Sequence, residues 1–279
     1  MRLIILGARG STPTPGAAYV RYGGHTSCIA VSHNGENPRL VLDAGTGLTQ
    51  LTPLLDGAAF SGTIVLGHLH WDHTHGLPFF GAGNRPDSDV QVYIPAQGED
   101  AEELLAHAIS PPHFPVRPRD LTGNWRFDNL EAGEHDLEGF KVLALDIPHK
   151  GGRMYGFRIT DGARSAAYLS DHSPTNYGPG EDGLGELHEA ALELTRGADV
   201  LIHDAQYTEA EFPARSHFGH CSIDYPAALA RAAGVRRLVL FHHDPSHTDD
   251  QLDAILAGAR AAHPDLDIVA AVEGGVVEV

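Results

Sequence analysis

Five short apolar segments of this chain each lead into a side chain that can bind a metal ion. Such residues follow three of the segments directly, and in the other two a single serine or glycine comes first; the residues are Asp43, His68, Asp171, His203 with Asp204, and His242. In layered α/β proteins, functional side chains gather where rigid strands end at the rim of a sheet. Asp or His residues that merely begin turns would explain one or two of these five segments. Five cases predict that the strand ends converge on a common site.

The hydrophobic pattern predicts many short strands and few helices. Twelve apolar segments have the length and boundaries of strands, at residues 3–6, 28–31, 40–42, 63–66, 90–94, 140–145, 155–159, 166–169, 200–202, 238–241, 268–272 and 276–279. Helices are predicted at residues 100–109, 184–196, 225–233 and 249–261. Because strands and helices do not alternate in the first half, the pattern indicates an α+β or layered α/β architecture.

Local signals mark some boundaries of these elements. Thr248 and Gln251 form the sequence pattern of a capping box at the start of the last helix, and Ser222 is a plausible N-cap for the helix before it. Segments 79–89 and 110–124 are rich in glycine, proline and polar residues. We predict that both are loops and not domain linkers, because neither is flanked by two self-sufficient cores.

Composition narrows the class of protein. The 279 residues, 42% of them hydrophobic, suffice for one large core, and we interpret residues 1–279 as a single domain. No apolar run is long enough to span a membrane, and the N-terminal segment is interpreted as a strand and not as a secretory signal. Two cysteines exclude a disulfide framework, so a cytoplasmic location is expected. A net charge of −18 argues against binding long nucleic acids.

The most specific signal is a cluster of metal-binding side chains that follows the strand at 63–66. Four of six consecutive residues are potential ligands, in the order His68, His70, Asp72 and His73. In an extended loop, His68 and His70 point the same way and can share one cation, while Asp72 and His73 can reach a second. Helical metal motifs place histidines four residues apart, so this is a strand-to-loop site. A surface turn with coincidental histidines is the alternative interpretation.

These four residues match the H-x-H-x-D-H signature, and the chain resembles the metallo-β-lactamase superfamily over nearly its whole length. The resemblance implies a four-layer αββα sandwich with two metal ions at one edge of its sheets. It also implies the later ligands in order: His149 for the first metal, Asp171 as the bridge, and His242 for the second metal. Asp43 resembles the family's buried acid near the ligand loop. His243 and His247 lie close in sequence to His242, so His243 remains an alternative ligand.

The resemblance extends to one branch of the superfamily. The segment 219–222, Gly-His-Cys-Ser, resembles an element of ribonuclease Z in which a histidine protonates the leaving group, and Asp204 then resembles the acid that orients His220. The spacing from His220 to His242 also resembles that branch and favours His242 over His243. Segments 6–13 and 21–28 resemble its glycine-rich opening. A histidine that merely neighbours a helix cap is the alternative role for His220.

The same branch contains ribonuclease Z and smaller phosphodiesterases, and the chain departs from the former. Only 21 residues separate His149 from Asp171, which is enough for a hairpin but not for the arm with which ribonuclease Z holds transfer RNA. Together with the acidic charge, this spacing makes a transfer RNA substrate improbable. The loop 110–115 is a candidate cover for the pocket, in which His113 or Phe114 stacks on a base; the alternative is that Phe114 anchors the loop to the core.

We therefore interpret the chain as a metal-dependent phosphodiesterase that acts on a small substrate, most plausibly a cyclic nucleotide or a cyclic ribose phosphate. The predicted catalytic residues are Asp72, His220 and Asp204. Two divalent ions are expected per chain, zinc or manganese first and iron as an alternative, because histidine and carboxylate ligands suit all three. The resemblance suggests a homodimer. A carboxyl- or thioester hydrolase, a ribonuclease Z-like nuclease without the arm, and a non-catalytic sensor are the alternatives.

Overall fold

The computed structural model describes all 279 residues and contains fourteen strands. Their bounds are β1 Arg2–Gly7, β2 Cys28–Ser32, β3 Leu40–Leu42, β4 Ser61–Val65, β5 Asp89–Pro95, β6 Asn124–Leu130, β7 Gly133–Leu137, β8 Phe140–Asp146, β9 Tyr155–Thr160, β10 Ser165–Leu169, β11 Val200–Asp204, β12 Arg237–Phe241, β13 Asp267–Ala270 and β14 Val276–Glu278. The α-helices are α1 Leu51–Leu54, α2 Trp71–Thr74, α3 Ala101–Ala106, α4 Glu189–Thr195, α5 Phe212–Arg215, α6 Asp224–Ala233 and α7 Asp249–Ala262.

The strands form two seven-stranded sheets. The first has the order β14-β1-β2-β3-β4-β5-β6 and the second the order β13-β12-β11-β10-β9-β8-β7. Strands β3 to β6 are mutually parallel, as are β10 to β13. Because the carboxyl ends of parallel strands lie at one edge of a sheet, each sheet collects several strand ends at one rim.

The two sheets pack against each other through a shared core. Along β1, Leu3 and Ile5 belong to the cluster between the sheets, whereas Ile4 and Leu6 belong to a second cluster that includes residues of α1 and α3. This alternation is the two-residue period of a strand that is buried on both faces. A third cluster joins the outer face of the second sheet to α4, α6 and α7. The predicted four-layer αββα sandwich is therefore confirmed.

Two polar strands, β6 and β7, are not predicted from the sequence. The loop predicted at 110–124 ends one residue early, because β6 begins at Asn124. Both strands lie at the outer edge of their sheets, where half-exposed strands tolerate polar side chains. Their composition therefore lacks the apolar run that marks a central strand.

Some helix boundaries also differ from the prediction. The helix expected at 184–196 begins only at Glu189, after His188, whose ring accepts a hydrogen bond from the backbone of Ala191. The predicted capping box of Thr248 and Gln251 is present. The predicted cap at Ser222 is wrong, since the N-cap of α6 is Ile223 and no side chain caps it. None of the helices is both long and apolar enough to cross a membrane.

Candidate metal centre

The candidate site lies where strand ends of both sheets meet. His68 and His70 follow β4, and α2 begins directly after His70, so that a single turn of helix presents Asp72 and His73. The second sheet contributes its residues from the ends of other strands. These are His149 after β8, Asp171 after β10, Asp204 at the end of β11 and His242 after β12.

One group of side chains contains three histidines and a carboxylate. The ligand atoms of His68, His70, His149 and Asp171 all lie within 4.8 Å of one another. His149 Nε2 is 3.3 Å from His70 Nδ1, and Asp171 Oδ2 is 3.6 Å from the Nε2 atoms of both His68 and His149. A tetrahedral metal with ligand bonds of 2.0–2.1 Å separates its ligand atoms by about 3.3 Å. The spacing therefore suits one divalent ion.

A second group shares Asp171 with the first. It consists of Asp72, His73, Asp171 and His242. Asp171 Oδ1 is 3.0 Å from His73 Nε2 and 3.2 Å from His242 Nε2. Asp72 Oδ2 is 3.3 Å from His73 Nε2 and 3.1 Å from His242 Nε2. Asp171 thus presents one oxygen to each group, as a bridging carboxylate does.

The chemistry of the buried atoms tests whether metal ions fit here. His68 is buried and neither of its ring nitrogens has a hydrogen-bond partner, and Asp171 Oδ1 has none either. His73 Nε2 is close to that oxygen, yet the two atoms are not oriented for a hydrogen bond. Buried polar atoms without partners are costly, and cations between them would satisfy these lone pairs. The residues present therefore fit a pair of divalent metal ions.

Protonation favours the metal-binding form of several residues. Burial lowers the pKa of His149 to about 4 and that of His68 well below its usual value. Burial alone would raise the pKa of Asp171, but the surrounding histidines outweigh it and hold the pKa well below the ordinary value. Neutral imidazoles and an ionised carboxylate are the forms that bind metals.

A second set of contacts orients the side chains of both groups. Asp43 Oδ2 accepts a hydrogen bond from the Tyr168 hydroxyl at 2.7 Å and lies 2.9 Å from His73 Nδ1, although those two atoms are not oriented for a hydrogen bond. The backbone carbonyl of Gly219 lies 2.8 Å from His149 Nδ1, so it accepts that ring's proton. Such partners select the tautomer and fix the ring plane of a metal-binding histidine. Asp43 thus lies where the family resemblance places its buried acid.

The structure separates His242 from the histidines that follow it in sequence. Only His242 reaches the second group. His243 Nε2 donates to the carbonyl of Ala271, and His247 Nε2 lies 2.9 Å from Glu211 Oε1. Both of the latter rings therefore have partners away from the site.

His220 lies beside the two groups and clusters with Asp204 and with His242 of the second group. Its Nδ1 is 2.9 Å from Asp204 Oδ2 and 3.9 Å from Asp171 Oδ2. Burial lowers the pKa of His220, but nearby carboxylates, above all Asp204, outweigh it and raise the pKa to about 9. Asp204 is itself held by the backbone N–H groups of His172 and Gln206. The arrangement can hold a proton on an imidazole whose Nε2 remains available to a substrate.

A cavity of about 360 Å³ gives access to these residues. Its lining comprises Ser11, Leu69, His70, Trp71, Asp72, Asp171 and His220. Phe114 is not part of this lining; it packs against the cluster on the outer face of the first sheet and contacts Phe79 edge-on. The loop-anchor alternative for Phe114 therefore describes its position.

Sequence analysis missed three residues that shape the site. The Ser11 N–H donates to Asp72 Oδ2 at 2.7 Å from a backbone with a φ of 60°, and Gln206 Oε1 lies 2.8 Å from His242 Nδ1. A Cβ atom on Gly10 would lie 2.4 Å from His242 Nδ1, so only glycine fits there. The family resemblance covered segment 6–13 without assigning roles, and nothing in the sequence near Gln206 indicates its contact.

We expect metal removal to destabilise the fold. Ions that bind only the native state, at a free concentration 100 times their Kd, stabilise it by about 2.7 kcal/mol. For a domain of this size the corresponding fall in Tm on chelation is about 5 °C. Differential scanning calorimetry before and after chelation, with zinc or manganese added back, measures the change. An unchanged Tm in a protein that contains no metal by elemental analysis would contradict the assignment.

Comparisons with known proteins show the family and the fold. The model of the β-lactamase superfamily domain matches residues 38–243. The chain is 27% identical to ribonuclease Z of Haloferax volcanii over 326 aligned positions, which cover all of this chain and 95% of the relative. The metallo-β-lactamase fold protein YhfI from Bacillus subtilis superposes with a TM-score of 0.73 at 18% identity, covering 99% of both chains. A diphosphatase of the PhnP family superposes with a TM-score of 0.68 at 20% identity, covering 100% of this chain and 97% of the other.

Proposed function

This chain belongs to the β-lactamase superfamily, and from that premise we propose that it hydrolyses a small phosphodiester with the help of two divalent metal ions. It is a hydrolase of the metallo-β-lactamase fold and is related to ribonuclease Z. The fold serves many reactions, so the choice among them depends on the site. The observation that supports phosphodiester cleavage is the pair of His220 and Asp204 beside the two groups of potential ligands.

In this proposal each group of ligands binds one of the two metal ions. His68, His70, His149 and Asp171 would hold one ion, while Asp72, His73, Asp171 and His242 would hold the other. When bound, such ions activate water as a nucleophile and neutralise charge on phosphoryl oxygens. The ligand set suits zinc or manganese, with iron as an alternative.

His220 would act as the general acid. An alkoxide leaving group departs from phosphorus only if a proton reaches its oxygen, and the His220 imidazolium holds that proton at Nε2. Asp204 fixes the ring through Nδ1 at 2.9 Å and stabilises the charged form. A positioned acid of this kind typically accelerates proton transfer steps by about 10²–10⁴-fold. Hydrolysis of an activated carboxyl ester or thioester has less need of it.

The segment between His149 and Asp171 supports a small substrate. It contains β9 and β10, which pair as a hairpin with only residues 161–164 between them. The alignment with the Haloferax enzyme is longer than this chain, so that relative contains insertions that are absent here. The net charge of −18 also disfavours a polyanionic substrate. A cyclic nucleotide or a cyclic ribose phosphate is therefore favoured over transfer RNA.

The location and the assembly of the enzyme are part of the same proposal. Cys28 and Cys221 are both free and buried, which is compatible with a reducing compartment, and we place the enzyme in the cytoplasm. The substrate is a small molecule, and a homodimer is the expected assembly. The nuclease without an arm remains the second candidate, because the Haloferax relative is a ribonuclease Z.

A substrate panel tests the proposal. The zinc- and manganese-loaded proteins would be assayed on 3′,5′- and 2′,3′-cyclic nucleotides, a cyclic ribose phosphate, a short RNA, and p-nitrophenyl acetate with a thioester. We expect turnover of at least one cyclic phosphate, lost on chelation. Cleavage of the esters alone would transfer the assignment to the ester hydrolases. Cleavage of RNA alone would support the nuclease.

A further inference from the structure

The cavity over the candidate metal centre is lined by two chemically different kinds of side chain. Its lining combines polar residues of the site, among them Asp72, Asp171 and His220, with the apolar side chains of Leu69 and Trp71. None of the lining residues is a lysine or an arginine. A substrate part that lies away from the reacting phosphorus therefore meets no lysine or arginine in this lining, and Leu69 and Trp71 offer it apolar contact.

Trp71 is unusually exposed for a residue of its size. Its side chain is 66% exposed, although aromatic rings bury large areas when they serve packing. It is the first residue of α2, between His70 and Asp72, so the backbone that positions two potential metal ligands also positions the indole. His75 stacks on the indole with ring centroids 5.6 Å apart and an interplanar angle of 19°. The ring is thus held beside the cavity without being buried.

Other exposed aromatic residues do not lie in this position. Phe79, Tyr177 and Phe218 are all more than half exposed, but none of them lines the cavity. Among these exposed aromatic residues, Trp71 is therefore the one that a substrate in the cavity would meet.

We propose that Trp71 determines specificity by stacking on an aromatic ring that is linked to the phosphodiester, which makes the substrate a nucleotide and not a base-free cyclic phosphate. This inference rests on the proposed function. Stacking of a base on an aromatic side chain changes affinity by about 10-fold to 100-fold. Such contact is tolerant of base identity, since every base has a π-face. We therefore expect discrimination between nucleotides and base-free phosphates, with little discrimination among bases.

The first test is spectroscopic and needs no turnover. The chain has two tryptophans, and Trp125 lies on β6, where its Nε1 donates to the carbonyls of Gly83 and Thr122. In Trp125→Phe, Trp71 is the sole tryptophan reporter. Titration of the zinc-loaded variant with adenosine 5′-monophosphate should quench its emission, while ribose 5-phosphate should not. In Trp71→Phe, which retains Trp125, quenching should be absent.

The second test is kinetic and uses a matched control. In Trp71→Ala, the ratio of kcat/KM for a cyclic nucleotide to that for a cyclic ribose phosphate should fall about 10-fold to 100-fold, mainly through KM for the nucleotide. Phe79→Ala, which removes an exposed aromatic ring outside the cavity, should leave this ratio unchanged.

Several outcomes would overturn the inference. One is equal quenching by the two phosphates, and another is an unchanged ratio in Trp71→Ala. A third is a change of sedimentation mass in Trp71→Ala with the same substrate preference, which would place Trp71 in a contact between copies of the chain. If the wild type cleaved no phosphodiester, the proposed function would fail, and the fluorescence titration would still decide whether Trp71 contacts a base.

Discussion

The kcat/KM of the Asp171→Ala variant should be at least about 10³-fold lower than that of the wild type, and the variant should retain its fold. Asp171 presents Oδ1 to His73 and His242 at 3.0 and 3.2 Å and Oδ2 to His68 and His149 at 3.6 Å. Its removal therefore affects both groups of ligands at once. Metal-assisted catalysis contributes several kcal/mol, and about 4 kcal/mol corresponds to a factor of 10³. Steady-state kinetics on bis(p-nitrophenyl) phosphate, with metal content by elemental analysis, measure both effects.

A matched control separates this loss from a general effect of removing a carboxylate. Asp128 is exposed on β6, and Asp128→Ala should change kcat/KM less than twofold. Circular dichroism would verify that both variants are folded. If Asp171→Ala bound two metal ions and kept its activity, the bridging role would be wrong.

The effect of His220→Ala should depend on the leaving group. With a cyclic nucleotide the departing ribose alkoxide needs a proton, so kcat should fall by about 10²–10⁴-fold. With bis(p-nitrophenyl) phosphate, p-nitrophenolate leaves without needing a proton, so the fall in kcat should be much smaller. A plot of log kcat against the pKa of the leaving group, for a series of aryl phosphodiesters, should be steeper in the variant than in the wild type.

Two further variants define the role of His220. Asp204→Asn keeps the shape of the partner at Nδ1 but removes its charge, so it should show the same dependence on the leaving group in weaker form. His217→Ala removes an exposed histidine three residues before His220 and should show none. A uniform loss across all leaving groups in His220→Ala would indicate that the residue shapes the site and does not donate the proton.

The features that could be predicted from sequence are those with a local signal. The central strands are apolar runs, and four potential ligands stand within six residues after β4, so a layered α/β architecture and the first motif were predictable from the residues. The four-layer sandwich depended on the family resemblance. The later residues His149, Asp171 and His242 depended on family resemblance, because each is an isolated side chain at a strand end. Residues such as Gln206 could not be predicted, since its contact with His242 joins segments 36 residues apart and depends on the tertiary fold.

The wrong predictions, at β6 and at Ser222, also arise from the tertiary fold. The edge strand β6 alternates half-buried and exposed residues, so it lacks the apolar pattern of a buried strand. Ser222 has a side chain suited to capping, but it is buried and its hydroxyl finds no partner. In each case the environment that decided the structure was created by distant segments of the chain.

The hydrogen bond from Tyr168 to Asp43 connects the interior of the sandwich to the chemistry at its rim. Tyr168 lies on the second sheet, whereas Asp43 follows β3 of the first sheet and contacts His73. Protein interiors are densely packed and transmit small displacements, and catalytic geometry tolerates errors of only about 0.5 Å. A substitution in the core that alters the spacing of the sheets would therefore inhibit the enzyme remotely, without touching the substrate. For anyone engineering this protein, its stability and its turnover are not independent properties.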